Sequence, residues 1–328
     1  MTKKEAINNI ANLSALVVGD VMLDSYLFGT VDRVSPEAPV PVVLMSDRDE
    51  RAGGAANVAR NVQALGAKVH IATVIGNDTA GDRLQDLFKA NSIGESAFIY
   101  EEGRITTIKT RIIRDNEHML RVDEETDKAI GNKTAKKLIE ACLKIMTNSK
   151  IDVVIFEDYD KGVLTPEIIK VLTTEAKKRS IPVTVDPKFK GFFNYPSVDL
   201  FKPNIQELRE GLQRDIDLPM GLPDAINELH DKLTPKISIT TLGSHGMWIH
   251  CPVSENADAT NHSHIQSRPS NVIDVSGAGD TVIATASLML AAGATPLQIA
   301  EVANIAAGQV CEHSGVVTVD LEKLIAEI

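Results

Sequence analysis

Short apolar runs alternate with longer segments of helical period along most of this chain. Leu13–Gly19, Val69–Gly76, Val153–Phe156, Val183–Val185, Leu200–Lys202 and Ile237–Thr241 are brief, and all but Leu200–Lys202 carry Val or Ile. Between them, Ala80–Asn91, Lys133–Met146 and Pro166–Arg179 place apolar residues three and four apart, and a further helix precedes Leu13. Strands without internal alternation, each followed by an amphipathic helix, predict a mostly parallel sheet covered by helices on both faces, with right-handed crossovers. Most of these strands run into polar residues: Asp20, Asn77-Asp78, Glu157-Asp-Tyr-Asp-Lys161-Gly162, Asp186-Pro-Lys188 and Asn204-Ile-Gln-Glu207. Carboxyl ends of parallel strands are where such sheets gather ligands.

Two stretches break the pattern. Residues 29–46 are rich in proline and β-branched residues, which suits edge strands better than helix or a central strand. Ile105–Arg114 and Glu117–Val122 read as a hairpin joined at Asp115-Asn116. Together, residues of about 29–46 and 98–122 predict a small second sheet, a lid inserted into a single domain spanning 1–328. Over Arg104–Arg121 five Lys/Arg face two acids, a local excess of three positive charges. Such a patch suits a phosphorylated substrate, although charged faces on exposed strands are also commonly just solvated.

Composition narrows the function. With 24% charged and 43% hydrophobic residues the chain is ordinary for a soluble globule, and no apolar run reaches the length of a membrane span. Its start lacks the apolar core of a secretion signal, which places the protein in the cytoplasm. A net charge of −11 argues against nucleic acid. Cys142, Cys251 and Cys311 are scattered and odd in number, so they suit reduced packing residues. His262-x-His264 lies in the polar run Ser254–Ser270 without a third ligand, and a solvated loop is expected there.

The chemistry concentrates at Asn271-Val-Ile-Asp274-Val-Ser-Gly277-Ala278-Gly279-Asp280-Thr281, an extended apolar run turning into the Ala-rich segment Val282–Ala292. A strand–turn–helix junction aims backbone N–H groups and the positive helix end at one small volume, which suits an anion. Asp280 holds a carboxylate there, placed to accept a proton from a bound hydroxyl. Alone, Gly-x-Gly-Asp would be a tight turn. A second glycine pair, Gly53-Gly54, opens a small-residue helix in which Asn57 lies about one turn on, facing the same site.

Asp274-Val-Ser-Gly-Ala-Gly-Asp280 and Gly53-Gly54-x-x-Asn57 resemble the two signatures of ribokinase-like (PfkB) sugar kinases, and the likeness runs from Leu13 to about Val319. It implies a three-layer ribokinase-like fold with a β-sheet lid, ATP and Mg²⁺ as cofactors, Asp280 as catalytic base, and Gly277, Ala278 and Gly279 as the anion hole. Asp20, Gly53, Gly54, Asn57 and Lys188 would hold the sugar. Asn204-x-x-Glu207 is similar to the element that contacts phosphate and, through water at Glu207, magnesium; Thr241, Gly243 and Gly246 to the nucleotide-phosphate loop; Asn304 to the helix bordering adenine. Val275 stands where the family usually has a different residue.

Gly19–Tyr26, the run from Gly29 to Val42, and Glu157–Leu164 look like the D-glycero-β-D-manno-heptose 7-phosphate kinases of ADP-heptose and lipopolysaccharide synthesis, in their stand-alone form. Arg111, Arg114 and Lys161 would then meet the 7-phosphate, and the lid would pair two chains into a homodimer. A PfkB-type kinase of another sugar and a non-catalytic regulator of the same fold are the alternatives. A dinucleotide oxidoreductase lacks its Gly-x-Gly-x-x-Gly fingerprint.

Overall fold

In the computed structural model, described for all residues except 92, 94–95, 116, 253–261 and 269–270, the elements follow in this order. The first half carries α1 (Lys3–Ile10), β1 (Ser14–Gly19), β2 (Val21–Val34), β3 (Pro41–Gly54), α2 (Ala55–Ala64), β4 (Lys68–Gly76), α3 (Thr79–Ala90), β5 (Ser96–Glu101), β6 (Ile108–Arg114) and β7 (Glu117–Glu124). Then come α4 (Asn132–Asn148), β8 (Val153–Glu157), α5 (Pro166–Lys178), β9 (Val183–Asp186), β10 (Leu200–Phe201), α6 (Ile205–Leu212), α7 (Leu222–Leu233) and β11 (Ile237–Thr241). A single 3₁₀ turn, β12 (Met247–His250), β13 (His262–Ile265), α8 (Ala278–Ala291), α9 (Pro296–Cys311) and α10 (Leu321–Glu327) complete the chain.

The central sheet runs β13-β12-β11-β10-β9-β8-β1-β4-β5. It is parallel from β11 to β5, while β12 and β13 add antiparallel at one edge. In β1, Ala15 and Val17 join the core formed with α1, α2, α8 and α9, whereas Leu16 and Val18 join the core formed with α4, α5, α6 and α7. A strand buried on both faces has no polar side to show, which is why these runs lack alternation. Helix α8 is buried from Asp280 to Met289, with Thr, Ser and Ala among its apolar residues, so it is the packed center of one layer rather than an amphipathic cover.

The second sheet, β3-β2-β6-β7, is larger on its N-terminal side than expected. The Asp20 amide still donates to Glu157 O of the central sheet (3.0 Å), and from Val21, which pairs with Gly54, the chain belongs to the second sheet. Residues 98–101, expected in the lid, lie instead in β5 at the edge of the central sheet, where Phe98 packs edge-on against Phe88 (4.9 Å between ring centers). The hairpin joint at Asn116 and most of the run Ser254–Ser270 fall outside the described residues. Within that run, His262–Ile265 forms β13 rather than a loop, and both histidine rings lie against Trp248.

The apolar run before Gly277 is not a strand. Ile273 N and Asp274 N both donate to Cys311 O at the end of α9, and Val272, Ile273 and Val275 are exposed. Backbone bonds taken up by a helix terminus leave no ladder to a neighboring strand.

Candidate active site

Helix α8 begins after Gly277, which has a left-handed backbone (φ 79°); a Cβ there would stand 2.8 Å from Asn57 Nδ2. The Ala278 amide closes a turn on Val275 O (3.2 Å), so among the described residues the Gly279 and Asp280 amides, not that of Ala278, remain without an acceptor. Ala278 and Gly279 form one end of a cavity of about 450 Å³. Thr241, Gly243, Gly246 and Asn304 line it as well, with Val272 and Val275 at its apolar rim. This volume, mostly apolar and meeting the start of a helix at Ala278 and Gly279, is of the size of a small-molecule site.

Asp280 is buried in the first turn of α8, next to Gly279 of the cavity lining. Its Oδ2 accepts from Asn57 Nδ2 and its Oδ1 from the Tyr159 hydroxyl, each at 2.8 Å. Burial pushes the carboxyl up to about 6, against the downward pull of those two bonds. A carboxylate with that affinity for a proton is suited to take one from a hydroxyl near neutral pH. Asn57, in the first turn of α2, therefore holds the base rather than standing free for a sugar.

Behind the turn lie two more buried carboxylates. Glu157 closes β8 and Asp186 closes β9, and one oxygen from each lies, with one from Asp280, in a cluster whose members are within 4.8 Å of one another. Lys202 Nζ bonds Asp186 Oδ2 at 2.9 Å, while Glu157 has no hydrogen-bond partner for either oxygen. Burial, then Asp186 and Asp280, drives the Glu157 carboxyl well above the usual carboxylate range. Lys188 bonds Glu207, lies 3.6 Å from Asp186 Oδ1 and sits over the Tyr159 ring. Burial opposes its charge, but Asp186, Glu207 and Glu157 outweigh that and raise its affinity for the proton. Lys188, expected on the sugar, is thus engaged by two carboxylates and the Tyr159 ring.

Asn204 and Glu207 form a capping box at the start of α6: Asn204 Oδ1 accepts from Glu207 N (2.8 Å), and Glu207 Oε2 accepts from Asn204 N (2.7 Å). With Lys188 on Oε1, both Glu207 oxygens are bonded, and neither residue lines the cavity.

The expected sugar-side residues divide. Asp20 accepts from the amides of Tyr159 (2.8 Å), Lys161 (3.1 Å) and Val163 (3.1 Å), so its buried carboxylate ties down the loop after β8. Gly53 and Gly54 end β3, and a Cβ on Gly53 would be 2.0 Å from Asp24 Oδ2. Arg111 is paired with Asp24 and lies over the Tyr26 ring. Arg114 is half-buried beside Asp115, and Lys161 pairs with Glu125 at 2.9 Å. These three cations, expected together on one phosphate, are spread over separate partners.

Tyr159, Glu157, Asp186, Lys202 and Asp24 were missing from the sequence-derived site. All but Lys202 and Asp24 sit at the polar strand ends that the sequence flagged as groups, and Asp24 lies four residues past Asp20; which side chain turns inward depends on the loop that Asp20 ties.

Comparison with known proteins agrees with this geometry. The bifunctional protein HldE of Trichlorobacter lovleyi is 37% identical over 318 residues, covering 97% of this chain and 63% of that protein. The HldE proteins of Koribacter versatilis and Caulobacter vibrioides are each 39% identical over 97% and 96% of the chain. The chain spans under two thirds of the length of these relatives. Crystal structures of Escherichia coli phosphofructokinase-2, with substrates and products or with potassium, share the fold at TM-scores of 0.77 and 0.78 and 19% and 20% identity, over 96% of this chain and 98% of theirs. The pfkB family carbohydrate kinases match residues 12–324. With a buried carboxylate at a glycine-opened helix start beside the cavity lining, the chain belongs to the pfkB family of carbohydrate kinases, phosphotransferases with a hydroxyl acceptor.

Proposed function

We propose that this chain is a cytoplasmic kinase that uses ATP to phosphorylate the C1 hydroxyl of D-glycero-β-D-manno-heptose 7-phosphate, giving the 1,7-bisphosphate for ADP-heptose synthesis. The observation that carries the reaction type is the placement of Asp280 at the start of α8, held by Asn57 and Tyr159 where the cavity ends. The sugar is supported by the heptose-kinase-like stretches at Gly19–Tyr26, residues 29–42 and Glu157–Leu164, together with the HldE relatives.

In this reading the sugar hydroxyl approaches Asp280 and passes its proton to that carboxylate as the oxygen attacks the γ-phosphorus in line. The free Gly279 and Asp280 amides and the helix dipole meet the growing charge on the transferred group. A divalent cation supplies further screening of phosphate charge when bound. Glu207, the expected contact, offers it no unbonded oxygen. Closure of the second sheet over the sugar would exclude water as a competing acceptor. Exposed Leu44, Met45, Leu120 and Val122 on that sheet support its pairing between two chains, which sedimentation velocity tests directly.

The reading is tested by ADP release from magnesium-ATP with heptose 7-phosphate, fructose 6-phosphate, ribose and adenosine, run beside Asp280→Asn. Turnover confined to heptose 7-phosphate and lost in the variant is the expected result. Turnover on another sugar alone keeps the kinase and discards the heptose; no turnover on any of the four with nucleotide still bound discards the heptose and points to an untested sugar or a non-catalytic regulator.

A further inference from the structure

A second cavity, of about 580 Å³, lies where β3, α2 and α3 meet the segment that follows α9, and it shares no lining residue with the cavity beside Gly279. Arg51 of β3 and Arg60 of α2 line it together with Asn91, His313 and Thr318, and Leu87 adds an apolar side. Helix α2 serves the two places with different faces. Asn57 and Asn61, one turn apart, are engaged toward α8, the first by Asp280 and the second by the Thr281 hydroxyl (3.2 Å) and the Val319 amide (3.0 Å). Arg60, about 100° around the helix from Asn61, lines the second cavity instead.

The two guanidinium groups differ in what they touch. Arg51 is engaged: its Nε bonds Asp49 Oδ2 (2.7 Å) and its Nη1 the carbonyls of Ser314 (3.1 Å) and Val316 (3.2 Å). Arg60 is half-buried and has no hydrogen bond or ion pair among the described residues. Burial, then the charge of Arg51, lowers its affinity for the proton, and Asp49 opposes them. The carboxylates of the lining have partners of their own, Asp49 in Arg51, Glu50 in Arg83, and Asp320 in the Lys323 amide, which takes its Oδ1. A half-buried guanidinium beside a like charge, with five donors and no acceptor, lacks an anion.

We propose that this cavity binds a phosphate monoester of a polyhydroxy compound, with the phosphate held by Arg60. A phosphate takes two parallel N–H groups from one guanidinium, and as a dianion it also answers the charge of Arg51, which a carboxylate would do less well. The cavity is larger than a bare phosphate needs and falls within the range of small-molecule sites. Asn91, Thr318 and the remaining oxygen of Asp320 offer both donors and acceptors, which suits hydroxyl groups on the organic part. The site goes beyond the proposed reaction, because it needs neither ATP nor Asp280.

Calorimetric titration of the full chain with glucose 6-phosphate, with and without a magnesium-bound, non-hydrolyzable ATP analogue, tests it. One equivalent with a dissociation constant below about 1 mM is expected in both conditions. The affinity should be at least about tenfold weaker in Arg60→Gln and unchanged in Arg214→Gln, a remote arginine paired with Glu228. Because Arg60→Gln removes a cation without a partner, its thermal midpoint in phosphate-free buffer is expected to equal or exceed that of the unaltered chain, which separates lost binding from lost folding. Equal binding by Arg60→Gln, binding weaker than about 1 mM, or equal binding of unphosphorylated glucose overturns the proposal. So does an Arg60→Gln variant that raises the KM for whichever sugar the chain phosphorylates, since Arg60 would then belong to the substrate site. Failure of the heptose assay leaves the titration unaffected, so the two readings fall separately.

Discussion

The Tyr159 hydroxyl donates to Asp280 Oδ1 at 2.8 Å, across 121 residues of sequence. Burial, then the charge of Asp280, holds the phenol well above its ordinary range, so it stays a donor at any working pH. With Asn57 on the other oxygen, the carboxylate plane is fixed, and the base meets its substrate without reorganizing. Tyr159→Phe removes one donor and leaves the packing. Hydrogen bonds to charged groups contribute about 1.5–3 kcal/mol, so kcat is expected to fall roughly 10- to 100-fold, with the KM for ATP and the thermal midpoint little changed. A KM change with kcat intact would assign Tyr159 to binding instead.

Asp280→Asn tests the base itself. The amide keeps the shape, but its NH₂ must face either Asn57 Nδ2 or the Tyr159 hydroxyl, both donors toward this position. General-base assistance is typically worth about 10²–10⁴ in rate, so turnover by ADP release should fall by that factor while ATP binding by calorimetry persists. Turnover equal to that of the unaltered chain would remove Asp280 from the chemistry.

The architecture was legible because it rests on patterns that survive local detail: strands apolar on both faces, helices of regular period, and glycines where a helix opens onto a ligand. The run from Asn271 to Ser276 was misread because apolar, β-branched residues look alike whether they enter a sheet or rim a cavity, and only the carbonyl of Cys311 decides between them. Asp20 and Lys188 had the residue types a sugar needs, but spacing carries no information on hydrogen-bond partners brought in from 139 residues away. Glu157 was named as part of a polar strand end; its lack of any partner is a property of packing alone.

Asp20→Asn is expected to act on folding more than on binding. Three amides of the loop after β8 lean on this carboxylate, and Asn offers one oxygen and turns two N–H donors toward them. Leaving buried donors unsatisfied costs about 1–3 kcal/mol each, so urea unfolding should show a loss of about 2–4 kcal/mol, larger than for Asp280→Asn. A variant of full stability that binds the sugar poorly would restore Asp20 to the substrate.

Gly308 separates the cavity from the fold. It lies in α9, lines the cavity, and a Cβ there meets nothing within 4 Å. Gly308→Ala should stabilize the helix by about 0.5–1 kcal/mol. Gly308→Leu, by contrast, fills cavity volume and should weaken ATP binding by at least about tenfold without lowering the thermal midpoint. Undiminished ATP affinity in Gly308→Leu would move the nucleotide elsewhere.

His230 provides a pH test remote from the site. Its Nε2 lies 2.9 Å from Ser238 Oγ, and its ring packs edge-on against His250 at 4.3 Å. Burial, then the nearby His250, lowers its pKa from 6.5 to about 4. Between these values the unfolded chain binds a proton that the folded chain refuses, so this contribution is complete above pH 6.5 and is lost as pH falls toward 4. The raised carboxyl of Glu157 acts with the opposite sign, because there the folded chain holds the extra proton. The informative quantity is therefore a difference: urea midpoints at pH 5 and pH 7.5, compared between the unaltered chain and His230→Phe. The variant loses the Ser238 bond at both pH values, which shifts both midpoints together, and only the drop between them reports the ring's protonation. A smaller drop in His230→Phe is expected; equal drops would mean that the ring reaches solvent and charges without unfolding the chain.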